Sequence, residues 1–236
     1  MNTSALTLPA AQPARSETRP GVVFVHGDAP PDRLRNAKDR GQFQSWGELV
    51  AQEGLTGITF NHGSSEDGRK FAEASRDVSQ ALAFAVSQAA QLKLDGSRLC
   101  AWTCSGGPPL VLPELLRTPP PFVRCVVCYY GEMDLETLRD DFPADIPDEV
   151  LRRYSPLHQL RESTARLPPM LIVRADQDWE PLNTTIDAFV AVAASRHVTI
   201  DFLTHPDGSH AFDVLNDVPR SKEIIESTLQ FIKRNL

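Results

Sequence analysis

The stretch LCAWTCSGGPPL, residues 99–110, decides how the chain is read. LCAWT has the apolar run of a buried strand. Gly106 and Gly107 interrupt it, and PLVLPELL then resumes with helical spacing. Prolines are tolerated in the first turn of that helix, where the N–H groups have no partner anyway. A strand that turns at once into a helix lifts one side chain at its apex. The residues two before and two after then pass close together, so both need to be small. With Cys104 at the apex, these neighbours are Trp102 and Gly106; with Ser105, they are Thr103 and Gly107. An indole is a stronger steric objection than a threonine, so Ser105 is the favoured apex and Cys104 the alternative. A serine-capped turn without chemistry is the plain structural reading of the same residues.

Outward from this turn, short apolar runs alternate with helical patterns. Strands are expected at 21–26 (GVVFVH), 57–60 (GITF), 122–130 (FVRCVVCYY), 170–175 (MLIVRA) and 198–203 (VTIDFL). Helices are expected at 43–53, about 71–92, near 182–194 and at 219–235, each with one apolar face. Near-continuous apolar strands separated by helices imply an α/β fold, a three-layer sandwich with a mostly parallel sheet and helices on both faces. Residues 131–168 break the rhythm and read as a small insertion, with one short helix near 147–153, in a single domain over 21–236. Residues 1–20 read as a loose tail rather than a signal peptide, because a basic start and an apolar core are both missing.

Composition narrows the partners. The 236 residues carry a net charge of -7 with scattered basic residues, which argues against nucleic acid. No apolar run is long enough to span a membrane. The cysteines at 100, 104, 125 and 128 fall in apolar runs. Cys125-x-x-Cys128 lies inside a strand and lacks a second ligand pair, so buried reduced thiols and a cytoplasmic location are expected. No metal spacing, phosphate loop or dinucleotide fingerprint is present, and neither a metal nor a cofactor is expected. The sequence leaves a homodimer open.

Ligands of such sheets bind beyond the carboxyl ends of the strands. There the sequence resembles the α/β-hydrolase superfamily and, within it, the dienelactone-hydrolase-like branch. The residues that carry the likeness are VFVHG (23–27), DGSRLCAWTCSGG (95–107), PPMLIVRADQD (168–178) and PDGSHAF (206–212). The superfamily's Asp-x-x-Arg pattern places the nucleophile seven residues after Arg98, at Ser105; dienelactone hydrolases themselves use cysteine, which keeps Cys104 as the alternative. The resemblance implies His210 as base, with His205 as competitor, and Asp178 as orienting acid, with Asp176 at the family's usual glycine. It implies an oxyanion hole from backbone groups near Gly27, Asp28 and Gly106. His26 is expected to be structural, while His62 and His158 lack motif support. Glu132 and Asp134 are expected in solvated loop, although either could face the pocket, and Trp179 and Glu180 are candidates to line the substrate site.

The expected function is therefore a serine hydrolase acting on a small-molecule ester, lactone or related acyl compound. A Cys104-dependent dienelactone-type hydrolase and a non-catalytic binding protein on the same fold are the alternatives.

Overall fold

The computed structural model describes residues 18–236. Most of the expected N-terminal tail thus lies outside the described residues, and Arg19 and Pro20 already belong to the first strand. That strand, β1 (Arg19–Val25), is followed by a one-turn helix α1 (Pro31–Leu34), α2 (Gly41–Gln52), β2 (Thr56–Thr59), α3 (Phe71–Ser87) and β3 (Leu94–Cys104). Next come α4 (Pro108–Arg117), β4 (Val123–Tyr129), α5 (Asp148–Tyr154), α6 (Pro156–Glu162) and β5 (Met170–Ala175). The chain finishes with α7 (Glu180–Ser195), β6 (Ile200–His205), a one-turn helix α8 (Phe212–Leu215) and α9 (Pro219–Asn235).

The six strands form one sheet in the order β2-β1-β3-β4-β5-β6, and every neighbouring pair is parallel. This is the α/β-hydrolase architecture expected from the sequence. Side chains alternate across a strand, and β3 shows the consequence. Leu99 and Ala101 enter the core under α3, α4 and α7, whereas Cys100, Trp102 and Cys104 enter the core under α2 and α9. Trp102 is fully buried there against Trp46, Phe24 and Tyr129, with ring centroids 5.3 to 5.5 Å apart. All four cysteines are free and buried.

The segment 131–168 holds α5 and also α6, which was not expected. Ser155 caps α6 by accepting the His158 N–H, with Pro156 in its first turn. Leu151, Leu157 and Leu160 of these helices join the same core as α4 and α7. At the opposite end of the sheet, Asp95 accepts from Ser97 and Arg98, and Arg98 also donates to the Leu236 carbonyl at 3.0 Å. The Asp-x-x-Arg pattern thus ties the start of β3 to Leu236, just after α9.

Candidate active site

Ser105 stands between β3 and α4 with φ +54°, a left-handed conformation costing about 1 kcal/mol in a non-glycine residue. Neighbouring backbone secures it: the Ser105 N–H donates to Tyr129 O at 3.1 Å, and the Glu132 N–H donates to Ser105 O at 2.9 Å. Two glycines make the bend sterically feasible. A Cβ on Gly107 would fall 2.2 Å from Thr103 Oγ1, and one on Gly27 would fall 2.9 Å from Ser105 Cβ. Thr103 is therefore tolerated at the crowded position because Gly107 yields the space.

His210 lies beyond β6 and turns back over Ser105. Its Nε2 is 2.9 Å from Ser105 Oγ, and its Nδ1 is 2.6 Å from Asp178 Oδ2. An ionised carboxylate only accepts, so Nδ1 carries the proton and Nε2 is free to accept from the serine hydroxyl. The Asp178 side chain is nearly covered and the His210 side chain is half-exposed. The loops that carry these two residues are tied together. Asp176 N–H donates to His205 O at 3.0 Å, Gln177 N–H donates to Gly208 O at 2.9 Å, and Gln177 Nε2 donates to Pro206 O at 2.9 Å.

Four residues outside the sequence motifs brace the imidazole. The Tyr130 ring lies 4.7 Å from that of His210, and its hydroxyl donates to Asp213 at 2.6 Å. Asp213 also accepts from Trp46 at 2.8 Å and Gln42 at 3.0 Å. Tyr130 itself has φ +37°. Its burial and the nearby Cys104 and Asp213 push its phenol well above the usual range, so it is a neutral donor.

Beneath the loop after β1, the His26 and His62 rings stack with centroids 3.7 Å apart. His26 donates from Nδ1 to Gly27 O at 2.9 Å, and its Nε2 faces the His62 N–H at 3.4 Å. Burial, and next the neighbouring His62, lower its pKa to about 4. His26 is thus the structural residue the sequence suggested. The stack fixes the chain entering Gly27 and Asp28. Asp28 turns its carboxylate away to Ala29 N–H and Ser65, while a Cβ on Gly106 would sit 3.1 Å from Asp28 N. Neither the Asp28 N–H nor the Gly106 N–H has an acceptor among the described residues. Both lie just ahead of α4, whose N-terminus favours negative charge.

The other candidates separate from this cluster. Cys104 is buried in the aromatic core, and burial, with Asp213 adding to it, pushes its thiol well above its ordinary range. His205 is buried against Ser221 Oγ at 3.1 Å. His158 lies 3.3 Å from Glu136, and Asp176 pairs with Arg174 at 2.9 Å. Trp179 is exposed, as is Glu180 in the first turn of α7. The solvated-loop expectation fails for two residues. Asp134 is buried and accepts from Ser155 and Thr137, which organises the insertion. Glu132 is half-buried on a cavity wall beside Gly106, a consequence of the 131–168 segment closing against the loop at 64–67. Among the described residues, no group of three or more His, Cys, Asp or Glu side chains is placed to hold a metal ion, and no helix is long and apolar enough to cross a membrane.

The profile of the prolyl oligopeptidase family matches residues 42–236, which include Ser105, Asp178 and His210. The chain belongs to the prolyl oligopeptidase family. This places it in the α/β-hydrolase superfamily, as the sequence suggested. No curated protein sequence matches it. Among solved structures it is similar to carboxyl esterase 2 of Tuber melanosporum, with TM-score 0.74 and 19% identity over 93% of this chain and 80% of that one. It is similar to native esterase 2 of Thermogutta terrifontis, with TM-score 0.73 and 17% identity over 96% and 85%. It is similar also to esterase B of Lactobacillus rhamnosis, with TM-score 0.72 and 16% identity over 93% and 78%. At these identities the likeness is one of fold.

Proposed function

We propose that this member of the family is a serine hydrolase of small esters, with Ser105 as nucleophile, His210 as general base and Asp178 as its orienting acid. The observation that carries the reading is the unbroken hydrogen-bond chain from Asp178 through His210 to Ser105, at 2.6 and 2.9 Å, on a strained and partly open serine. Ser105 Oγ bonds to the substrate carbonyl carbon while its proton passes to His210 Nε2. The oxyanion is met by the N–H groups of Asp28 and Gly106, with Gly27 setting the close approach. The imidazolium, stabilised by Asp178, returns the proton to the departing alkoxide and leaves an acyl-serine. Water then attacks the acyl carbon as His210 takes its proton, and collapse releases the carboxylic acid and restores the hydroxyl.

The dienelactone-type alternative needs a thiolate, and the burial of Cys104 disfavours it. The family match supplies the competing scissile bond, a peptide. Short-chain aryl esters and the matching anilides separate these two readings. The expected result is ester turnover that falls by about 10⁴- to 10⁶-fold in Ser105→Ala. A fluorophosphonate probe should label Ser105 in wild type and fail in His210→Ala. Full ester turnover in Ser105→Ala would overturn the assignment, and faster anilide than ester cleavage would move the substrate class to peptides.

A further inference from the structure

We propose that the cavity beside Ser105 is a cation-accepting subsite, so that the preferred esters carry an ammonium group. The word ester rests on the serine-hydrolase reading; the cation does not. The cavity holds about 240 Å³ and reaches Gly106, whose N–H is one of the two oxyanion donors. Its wall carries the carboxyl groups of Asp28, Asp67, Glu132 and Asp141 and the rings of Phe71 and Phe142, with no lysine or arginine. A cavity of this size admits a trimethylammonium group and a short chain, well below the volume of a drug-sized pocket.

Glu132 is the residue that points to a ligand. Asp28 is satisfied by Ala29 and Ser65, but the Glu132 carboxylate has no hydrogen-bond or ionic partner among the described residues. Its Oε1 lies 3.4 Å from where a Gly106 Cβ would be, which puts it beside Gly106 on the cavity wall. Its surface is partly open to the cavity, yet protein atoms crowd it. Burial first, then the charges of Asp28 and Asp141, raise its pKa to about 7, against a smaller opposing pull from His210. Burial also raises the pKa of Asp141. A half-buried carboxylate repelled by its neighbours gains from a cation placed among them. The half-buried Phe142 ring, backed at 6.0 Å by the buried Phe71, adds an aromatic surface of the kind on which quaternary ammonium groups rest.

Two isosteric pairs test this on the intact protein. Acetylcholine against 3,3-dimethylbutyl acetate places the cation in the alcohol arm. The p-nitrophenyl esters of 4-(trimethylammonio)butanoic and 5,5-dimethylhexanoic acids place it in the acyl arm. At about pH 8 and low salt, the charged-to-neutral ratio of kcat/KM should reach roughly tenfold or more in one pair and shrink at high salt. Glu132→Gln should lower that ratio about tenfold, and Asp141→Asn, at the rim, about two- to threefold. The ratio should rise between roughly pH 6 and pH 8 as Glu132 loses its proton in the field of Asp28, Asp67, Asp141 and His210. A ratio near one in both pairs, with the neutral esters still turned over, ends the cation subsite and leaves the serine-hydrolase reading standing. If no ester is hydrolysed, the hydrolase reading fails instead. Calorimetry of 4-(trimethylammonio)butanamide against 5,5-dimethylhexanamide on Ser105→Ala then decides the subsite, and equal affinities overturn it.

Discussion

Two histidine neighbourhoods lie at the same end of the sheet, and they are built in opposite ways. His26 and His62 are buried and stacked, with Nδ1 of each against a backbone carbonyl, Gly27 O at 2.9 Å and Gly63 O at 2.8 Å. His210 is half-exposed, with Nδ1 on a carboxylate and Nε2 on a hydroxyl. A carbonyl fixes a tautomer and stabilises a positive ring only weakly, less than burial opposes it at His26. A carboxylate does both, and that is what a base needs once it has taken a proton. In the proposed mechanism the partner at Nδ1, more than the histidine itself, separates scaffold from chemistry.

The sharpest way to break this comparison is to remove the carboxylate charge and keep its shape. Asp178→Asn can donate from its amide to Nδ1, which moves the imidazole proton to Nε2 and leaves Ser105 without an acceptor. Ester turnover at neutral pH should fall by about 10⁴-fold with little change in thermal stability. A loss below about tenfold would mean that the Nδ1 partner does not set the role of the ring.

The buried pair gives the second test, read in stability instead of rate. His26 has its pKa lowered from the ordinary 6.5 to about 4, first by burial and then by His62. The unfolded chain therefore takes up this proton near pH 6.5, and the folded chain only near pH 4. Its contribution is whole above about pH 6.5 and is lost as the pH falls towards 4, on the order of 3 kcal/mol at full extent. Urea unfolding at about pH 7 and about pH 4.5 should show a smaller acid loss in His26→Asn than in wild type. Equal losses in the two proteins would remove His26 as the cause.

Much of this arrangement was readable before any coordinates. MLIVRA and the helix at 219–235 appear at the expected bounds because a continuous apolar run and a long amphipathic repeat are local signals. Ser105, Asp178 and His210 were readable because each follows a strand, where such sheets expose polar groups. The second helix of the insertion was missed, although Ser155 and Pro156 are ordinary start signals. Other features had no local signal to read. Asp213 is linked to residues 83, 167 and 171 positions away. The setting of Glu132 arises only where the loops carrying Asp28, Asp67 and Asp141 meet.

Cys104 was legible in a way the turn argument did not use. Strand alternation puts it on the face of Cys100 and Trp102, so its side chain was bound for the core whichever residue occupied the apex. This yields the smallest expected effect and the finest test of the bend. Cys104→Ala removes one sulfur from a core shared with Trp46, Trp102 and Tyr129, and should cost about 1 kcal/mol in unfolding free energy. Ester turnover should stay within about threefold of wild type, since the Ser105 backbone is held by Tyr129 O and Glu132 N–H, not by the thiol. Iodoacetamide should leave Cys104 unmodified in the folded protein, because only a thiolate reacts and burial keeps this group protonated. A collapse of activity in Cys104→Ala to the level of Ser105→Ala would return the attacking atom to sulfur. It would also mean that β3 delivers residue 104, not residue 105, to the imidazole.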